Sequence, residues 1–210
     1  MLLPLFLLIS VFILVTGEGK VFFLQERVGK NGKNFKIIKF ATMKENSFFL
    51  QGGGFTNRND FRMMPFGNIL RKYKINEIPQ LFNVIFGHMS LVGYRPLTIE
   101  SHEKMLNLGF NLHQVDKPGM TSVASLFFRD EEEFLLDIKD KHDYYYEIIL
   151  PAKGSLDHWW YENKSLRNYF VIIILTITSV LFRSNKMTEV LLNNLPDKDY
   201  NAILKTKANK

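Results

Sequence analysis

The stretch "KINEIPQLFNVIFGHMSLVGYRP", Lys74 to Pro96, holds one carboxylate, Glu77, among cations and apolar side chains. Asn76 precedes it, a neutral amide where a second acid would complete a reactive pair. A carboxylate so placed could bind a hard cation or attack an electrophile. It could equally be an ordinary first-turn acid of a helix, stabilised by the helix dipole. A helix start also gathers free amide N–H groups, which suit a phosphate.

The elements around Glu77 are readable from period and punctuation. Ile78, Leu81, Phe82, Ile85 and Phe86 recur at helical spacing, predicting a core-facing stripe. Pro79 fits the first turn and Gly87 the position past the end. Upstream, Pro65 to Tyr73 reads as a helix with Phe66, Ile69, Leu70 and Tyr73 on one side. Val21–Val28 and Asn34–Phe40 read as two strands, with Asn31-Gly32 as the hairpin turn. "QGGGFTNRND", Gln51 to Asp60, reads as a flexible loop. Beyond Pro96 the chain reads as a helix, a turn at "DKPGMTS", a strand at "VASLFF", then mostly helix. The acid run Asp130 to Glu133 reads as a solvated helix start rather than a metal cluster.

A length of 210 residues favours one domain with an appended tail, and the residues from Arg183 onward are polar and lysine-rich. Hydrophobic residues make up 46% of the chain, with 19 Phe, enough for a core and an apolar surface besides. The net charge of +6 favours polyanions or an anionic membrane. Cysteine is absent, which excludes disulfides and thiolate metal sites and agrees with a reducing compartment. No helix-turn-helix, zinc or RNA-recognition signature accompanies the basic charge, so nucleic acid is not the expected partner.

"MLLPLFLLISVFILVTG" opens the chain. As a helix, Met1 to Thr16 reaches about 24 Å, short of a hydrocarbon core about 30 Å thick. No basic segment precedes it and no small-x-small site closes it, so a cleaved signal peptide is a poor fit. A segment that enters the bilayer without crossing fits, as does a truncated spanning helix; a buried core helix is the alternative. Lys20, Arg27, Lys30, Lys33, Lys36 and Lys39 follow, a cationic skirt suited to a cytoplasmic leaflet. A second apolar run, Tyr169 to Phe182, is too short to span; core packing and interfacial embedding both suit it. Trp159, Trp160 and Tyr161 upstream are candidate headgroup-level anchors.

Four pieces, "VFFLQERVGKNGKNFKIIKFATM", "LRKYKINEIPQLFNVIFGHMSLVGYRPL", "KPGMTS" and "LPAKGSLDHWWYENKSL", resemble, in order, the bacterial sugar transferase family of monotopic phosphoglycosyl transferases. The resemblance implies an α+β fold: a mostly helical, membrane-associated domain with a small β-hairpin and an N-terminal re-entrant membrane helix, here truncated. It divides the chain into a membrane-dipping segment (1–17), a phosphoglycosyl transferase domain (18–183) and a basic tail (184–210). It implies transfer of a sugar-1-phosphate from a UDP-sugar to a polyprenyl phosphate, with release of UMP, at the cytoplasmic face of the bacterial inner membrane. Magnesium is the implied cofactor, with Glu77 as its ligand. UDP-sugar, polyprenyl phosphate and the lipid bilayer are the implied partners. Lys39, Arg71 and Arg95 match basic positions of the pattern and are the candidate phosphate-binding residues. The membrane-embedded helices could also pair, so an oligomer is open.

The family uses an adjacent Asp-Glu pair whose Asp is the covalent nucleophile. Glu77 matches the Glu, and Asn76 stands at the Asp. Three readings of the catalytic pair follow: direct attack by the acceptor phosphate with Glu77 on magnesium, Glu77 as nucleophile, or an inactive membrane-bound adaptor. His88 and Tyr94 replace an Asp and a Pro of the family, Ala41 replaces an Arg, and Leu3 replaces the Ser of a Ser-Pro break at Pro4.

Overall fold

The computed structural model describes residues 2–45, 47, 60–136, 138–182, 188, 191–192 and 195–196. Residues 51–59 of the glycine-rich loop expected at Gln51 to Asp60, and most of the tail from residue 183, lie outside the described residues. The architecture is α+β, mostly helical with a small antiparallel hairpin. The chain forms two compact units, one of Met1–Gln25 with Lys36–Asn83, the other of Glu26–Phe35 with Val84–Lys210.

In the first unit, helix α1 (Leu2–Thr16) is apolar on nearly every side. Ile9 and Ile13, one turn apart, are buried with Phe40, Ala41, Met64 and Leu70. The Phe6 ring meets those of Phe22, Phe40 and Phe82 at centroid distances of 5.8, 5.0 and 5.4 Å, an aromatic cluster that locks the helix to this core. Strands β1 (Phe22–Val28) and β2 (Asn34–Phe40) form the hairpin. Their turn contains Asn31 and Gly32 at φ 57° and 71°, the left-handed values that Asn-Gly tolerates.

Helix α2 is shorter than its apolar pattern, Gly67–Lys72 instead of Pro65–Tyr73. Phe66 at φ 63° and Lys74 at φ 54° bracket it, and left-handed residues interrupt a right-handed helix. Only Leu70 of the expected face is buried; Phe66, Ile69 and Tyr73 are exposed.

The stripe expected after Asn76 is corrected in the same way. Ile75–Glu77 form a single 3-10 turn, and helix α3 begins at Gln80 and runs to Ile85. Its buried residues are Gln80 and Asn83, while Ile85 and Phe86 face outward; of the expected stripe, Ile78 is partly buried against the α1 core and the part-exposed Phe82 meets Phe6. The reason lies in Asn83, 1% exposed. Its Oδ1 accepts from the Ile38 N–H at 2.9 Å, and its Nδ2 donates to the Lys36 carbonyl at 2.8 Å. The amide takes the place of a neighbouring strand along β2, so the polar face turns inward.

In the second unit, β3 (Ser90–Val92) and β4 (Gly119–Thr121) pair in parallel, Ser90 with Gly119 and Val92 with Thr121. Helices α4 (Ile99–Asn107) and α5 (Leu112–Val115) connect them. A Cβ on Gly119 would lie 2.1 Å from the Gly93 nitrogen, so the strands approach as closely as bare backbones allow. The expected strand "VASLFF" is instead helix α6 (Val123–Phe127), started by Ser122, whose side chain accepts from the Ser125 N–H. Val123, Ala124, Leu126 and Phe127 are all buried, so no face showed in the sequence. The acid run opens helix α7 (Glu131–Leu135). Helix α8 (Lys141–Tyr144) and a π-helical turn, Tyr145–Ile149, lead into α9 (Leu150–Glu162).

Trp159 and Trp160 on α9 are each 4% exposed and pack internally, which corrects their assignment as headgroup anchors; Tyr161 is exposed. Helix α10 (Leu166–Phe182) buries Ile172, Leu175 and Ser179 and exposes Phe170, Ile174, Ile177 and Leu181. Among the described residues, no helix is long and apolar enough to cross a membrane.

Candidate functional site

Four of the five residues singled out in the sequence, Lys39, Arg71, Asn76 and Glu77, belong to the first unit. Lys39 stands on β2, the strand pinned by Asn83. Lys74 then turns the chain through its left-handed conformation, and the Arg71 carbonyl accepts the Lys74 N–H at 3.0 Å. The Glu77 N–H in turn donates to the Lys74 carbonyl at 3.0 Å, closing the 3-10 turn. This tight turn delivers the Glu77 carboxylate to Lys39, whose Nζ donates to Oε1 at 3.4 Å.

That contact is longer than the roughly 2.8 Å of a compact charge-assisted hydrogen bond. The two side chains are only 17% and 14% exposed, so their charges interact with little screening. Asn76 is 8% exposed, and its buried Oδ1 has no hydrogen-bond partner. A buried acceptor without a donor is expensive unless something else meets it.

Asn76 and Glu77 are neighbours in this turn and both carry hard oxygens, that of Asn76 buried and unpartnered. These residues fit magnesium, which binds few protein carboxylates and completes its shell with water and substrate phosphate oxygens. Among the described residues no three His, Cys, Asp or Glu side chains gather as a metal cage, so substrate oxygens would have to complete the shell.

Arg95 belongs to the second unit. Its N–H donates to Asp157 Oδ2 at 3.0 Å, and its Nη1 donates to Ser125 Oγ at 3.3 Å. Neighbouring Tyr94 is buried, and desolvation, followed by the charges of Asp116 and Asp157, pushes its phenol above the ordinary range. Of the other departures, Ala41 is buried in the α1 core and His88 is exposed. Sequence reasoning missed Asn83, Ser125 and Asp157. The one available signal was an acid or amide inside an apolar run, which asks for a buried partner.

Comparison with known proteins then places the chain. The model of the bacterial sugar transferase family matches residues 1–183. The chain is 36% identical over 149 residues to a UDP-N-acetylgalactosamine-undecaprenyl-phosphate N-acetylgalactosaminephosphotransferase of Aeromonas hydrophila, covering 68% of this chain and 34% of that protein. It is 36% identical over 182 residues to a UDP-glucose:undecaprenyl-phosphate glucose-1-phosphate transferase of Xanthomonas campestris pv. campestris, covering 85% and 35%. It is 31% identical over 191 residues to the exopolysaccharide production protein ExoY of Sinorhizobium fredii, covering 84% and 77%. The chain thus spans about a third of the length of the first two relatives.

Proposed function

The chain belongs to the bacterial sugar transferase family, and from that premise we propose that it transfers a sugar-1-phosphate from a UDP-sugar to a polyprenyl phosphate. An oxygen of the acceptor phosphate attacks the phosphorus that carries the sugar. The bond from that phosphorus to the bridging oxygen breaks, UMP leaves with the oxygen, and a polyprenyl diphosphate sugar remains. The observation that carries this reading is the Glu77 carboxylate held by Lys39 at 3.4 Å, in the tight turn that also contains Asn76.

Glu77 and Asn76 would hold magnesium, which when bound neutralises phosphate charge and orients the reacting oxygens. Lys39 neutralises charge on the Glu77 side. Arg71 and Arg95 are assigned to substrate phosphates, where a guanidinium can donate two hydrogen bonds at once. The acceptor phosphate is already anionic, so the transfer needs positioning and charge neutralisation but no general base. Attack occurs in one step, with Glu77 kept for magnesium and a neutral amide at Asn76 that offers no nucleophilic oxygen.

The exposed apolar residues of α1, including Leu8, Val11 and Val15, support seating on the cytoplasmic face of a bacterial inner membrane, where the lipid acceptor resides. A second reading, a membrane-bound adaptor without catalysis, rests on Asn76 in place of the acid. Release of UMP from UDP-glucose or UDP-N-acetylgalactosamine with undecaprenyl phosphate and magnesium separates the two. The transferase reading expects UMP, and about 100-fold less from Glu77→Gln. Native protein that is inert with a full panel of UDP-sugars, or an unimpaired Glu77→Gln, would overturn it.

A further inference from the structure

Resting on the assignment of Arg95 to substrate phosphate, we propose that Asp157 is the positioning residue that presents Arg95 to the diphosphate of the donor. Asp157 on α9 is 3% exposed, yet three donors converge on its carboxylate. Oδ2 accepts from the Arg95 N–H at 3.0 Å, Oδ1 accepts from the Ala124 N–H at 3.2 Å, and the Ser122 hydroxyl is hydrogen-bonded to the same group. The Ser122 and Ser125 hydroxyls lie 3.0 Å apart, and Ser125 Oγ accepts from the Arg95 guanidinium at 3.3 Å. One carboxylate thus holds Arg95 at both ends, its backbone directly and its guanidinium through two serines.

An ionised acid is costly to bury, and an apolar side chain would fill the same space more cheaply. What the apolar residue could not do is fix two backbone amides from different segments at once. Asp157 ties the loop after β3 to the start of α6, the two segments that orient Arg95.

Burial pushes the Asp157 carboxyl up to about 6, against the pull of Arg95, Ala124, Ser122 and Lys153. Arg95, Tyr94 and Lys153 share a cavity with it, and so do His102 from α4 and His113 from α5. A proton on Asp157 would add a donor among donors and release Arg95. Protonation of His102 or His113, both held below the ordinary range by desolvation, adds positive charge and favours an anion. The two effects of acidification therefore have opposite sign.

The test is calorimetric binding of UDP-glucose and UDP-N-acetylgalactosamine to the full chain in detergent, with UMP release measured separately. The diphosphate of these donors does not titrate near neutrality, so pH acts on the protein. Arg95→Ala should weaken the better-bound donor about 10-fold or more, and Asp157→Asn about 10-fold. The double variant should be no weaker than Arg95→Ala alone, because both changes remove one interaction. The affinity of the native chain relative to Asp157→Asn should fall as pH drops through about 6, because both proteins keep His102 and His113 and only the native one has this carboxyl to protonate. Ser125→Ala, which leaves Asp157 intact, should lose about 3-fold and keeps the test decisive where Asp157→Asn does not fold.

Native-like affinity in Asp157→Asn, additive losses with Arg95→Ala, or full affinity in Ser125→Ala would overturn the proposal. Binding that follows the expected pattern without UMP release supports it and defeats the transferase reading. UMP release with native-like binding in Asp157→Asn defeats this proposal alone. A native chain that binds neither donor overturns both.

Discussion

A carboxamide and a carboxylate differ by one unit of charge and almost nothing in shape, so Asn76 isolates the chemistry of its position. Its oxygen is buried and unpartnered, and the carboxylate of the next residue is held by Lys39. Asn76→Asp would restore an acid at the residue before Glu77. The fold should survive, and incubation with UDP-sugar alone should yield a phosphosugar adduct, read as an intact-mass increase. The native chain should show no adduct while releasing UMP; an adduct on the native protein would defeat the one-step transfer.

Asp157 makes a different prediction at the same scale. Its folded-state value of about 6 lies above the ordinary 3.8, so between these pH values the native state holds a proton that the unfolded state has released. Stability contributed by this group is therefore present below about pH 4 and is lost as pH rises through about 6, by on the order of 3 kcal/mol. Chemical unfolding of Asp157→Asn should lack that fall. A native profile that instead rises across this window, with Asp157→Asn parallel to it, would contradict the burial argument.

At the level of elements, the clearest consequence concerns α3. Asn83→Leu leaves the Ile38 N–H and the Lys36 carbonyl without their side-chain partner and should destabilise by about 2–4 kcal/mol in urea unfolding. Ile85→Ser, on a side chain 74% exposed, should change stability by less than about 0.5 kcal/mol. The apolar stripe alone predicts the reverse order, so the pair of variants decides between them. Gly119→Ala should disrupt the β3–β4 ladder outright, since its added carbon meets the Gly93 backbone.

These elements also show what could be read in advance. The hairpin was legible because two short β-prone runs flank an Asn-Gly turn. The face of α3 was not: periodicity says which residues share a side, but not which side is inward. The strand expected at α6 failed because a run buried all round has no period, and the Ser122 cap decided its conformation. The parallel pairing of β3 with β4 depends on residues almost thirty positions apart and left no local mark. Glu77, Asn76 and Lys39 were singled out by pattern, and the structure brings Lys39 to Glu77. Asn83 and Asp157 were not, because a buried polar residue is explained only by distant backbone partners.

At the scale of the whole molecule, apolar surface and net charge act together. Leu8 and Val11 on α1 are 69% and 59% exposed, on a helix with almost no polar side to offer water. Each such side chain moved into hydrocarbon contributes about 1.5–3 kcal/mol, enough for two or three to hold the chain on a bilayer. The +6 charge adds attraction to anionic headgroups, which salt screens over about 10 Å at 0.1 M. Vesicles containing phosphatidylglycerol should therefore carry the native chain upward in a flotation gradient. Raising salt to about 0.5 M should weaken that association without abolishing it, because the apolar contribution is not screened. Leu8→Glu with Val11→Glu should return the chain to the soluble fraction with its unfolding midpoint unchanged, since neither side chain belongs to the buried cluster of Ile9 and Ile13. Loss of flotation in salt alone would assign the association to charge, and a double variant that still floats would remove α1 from the membrane contact.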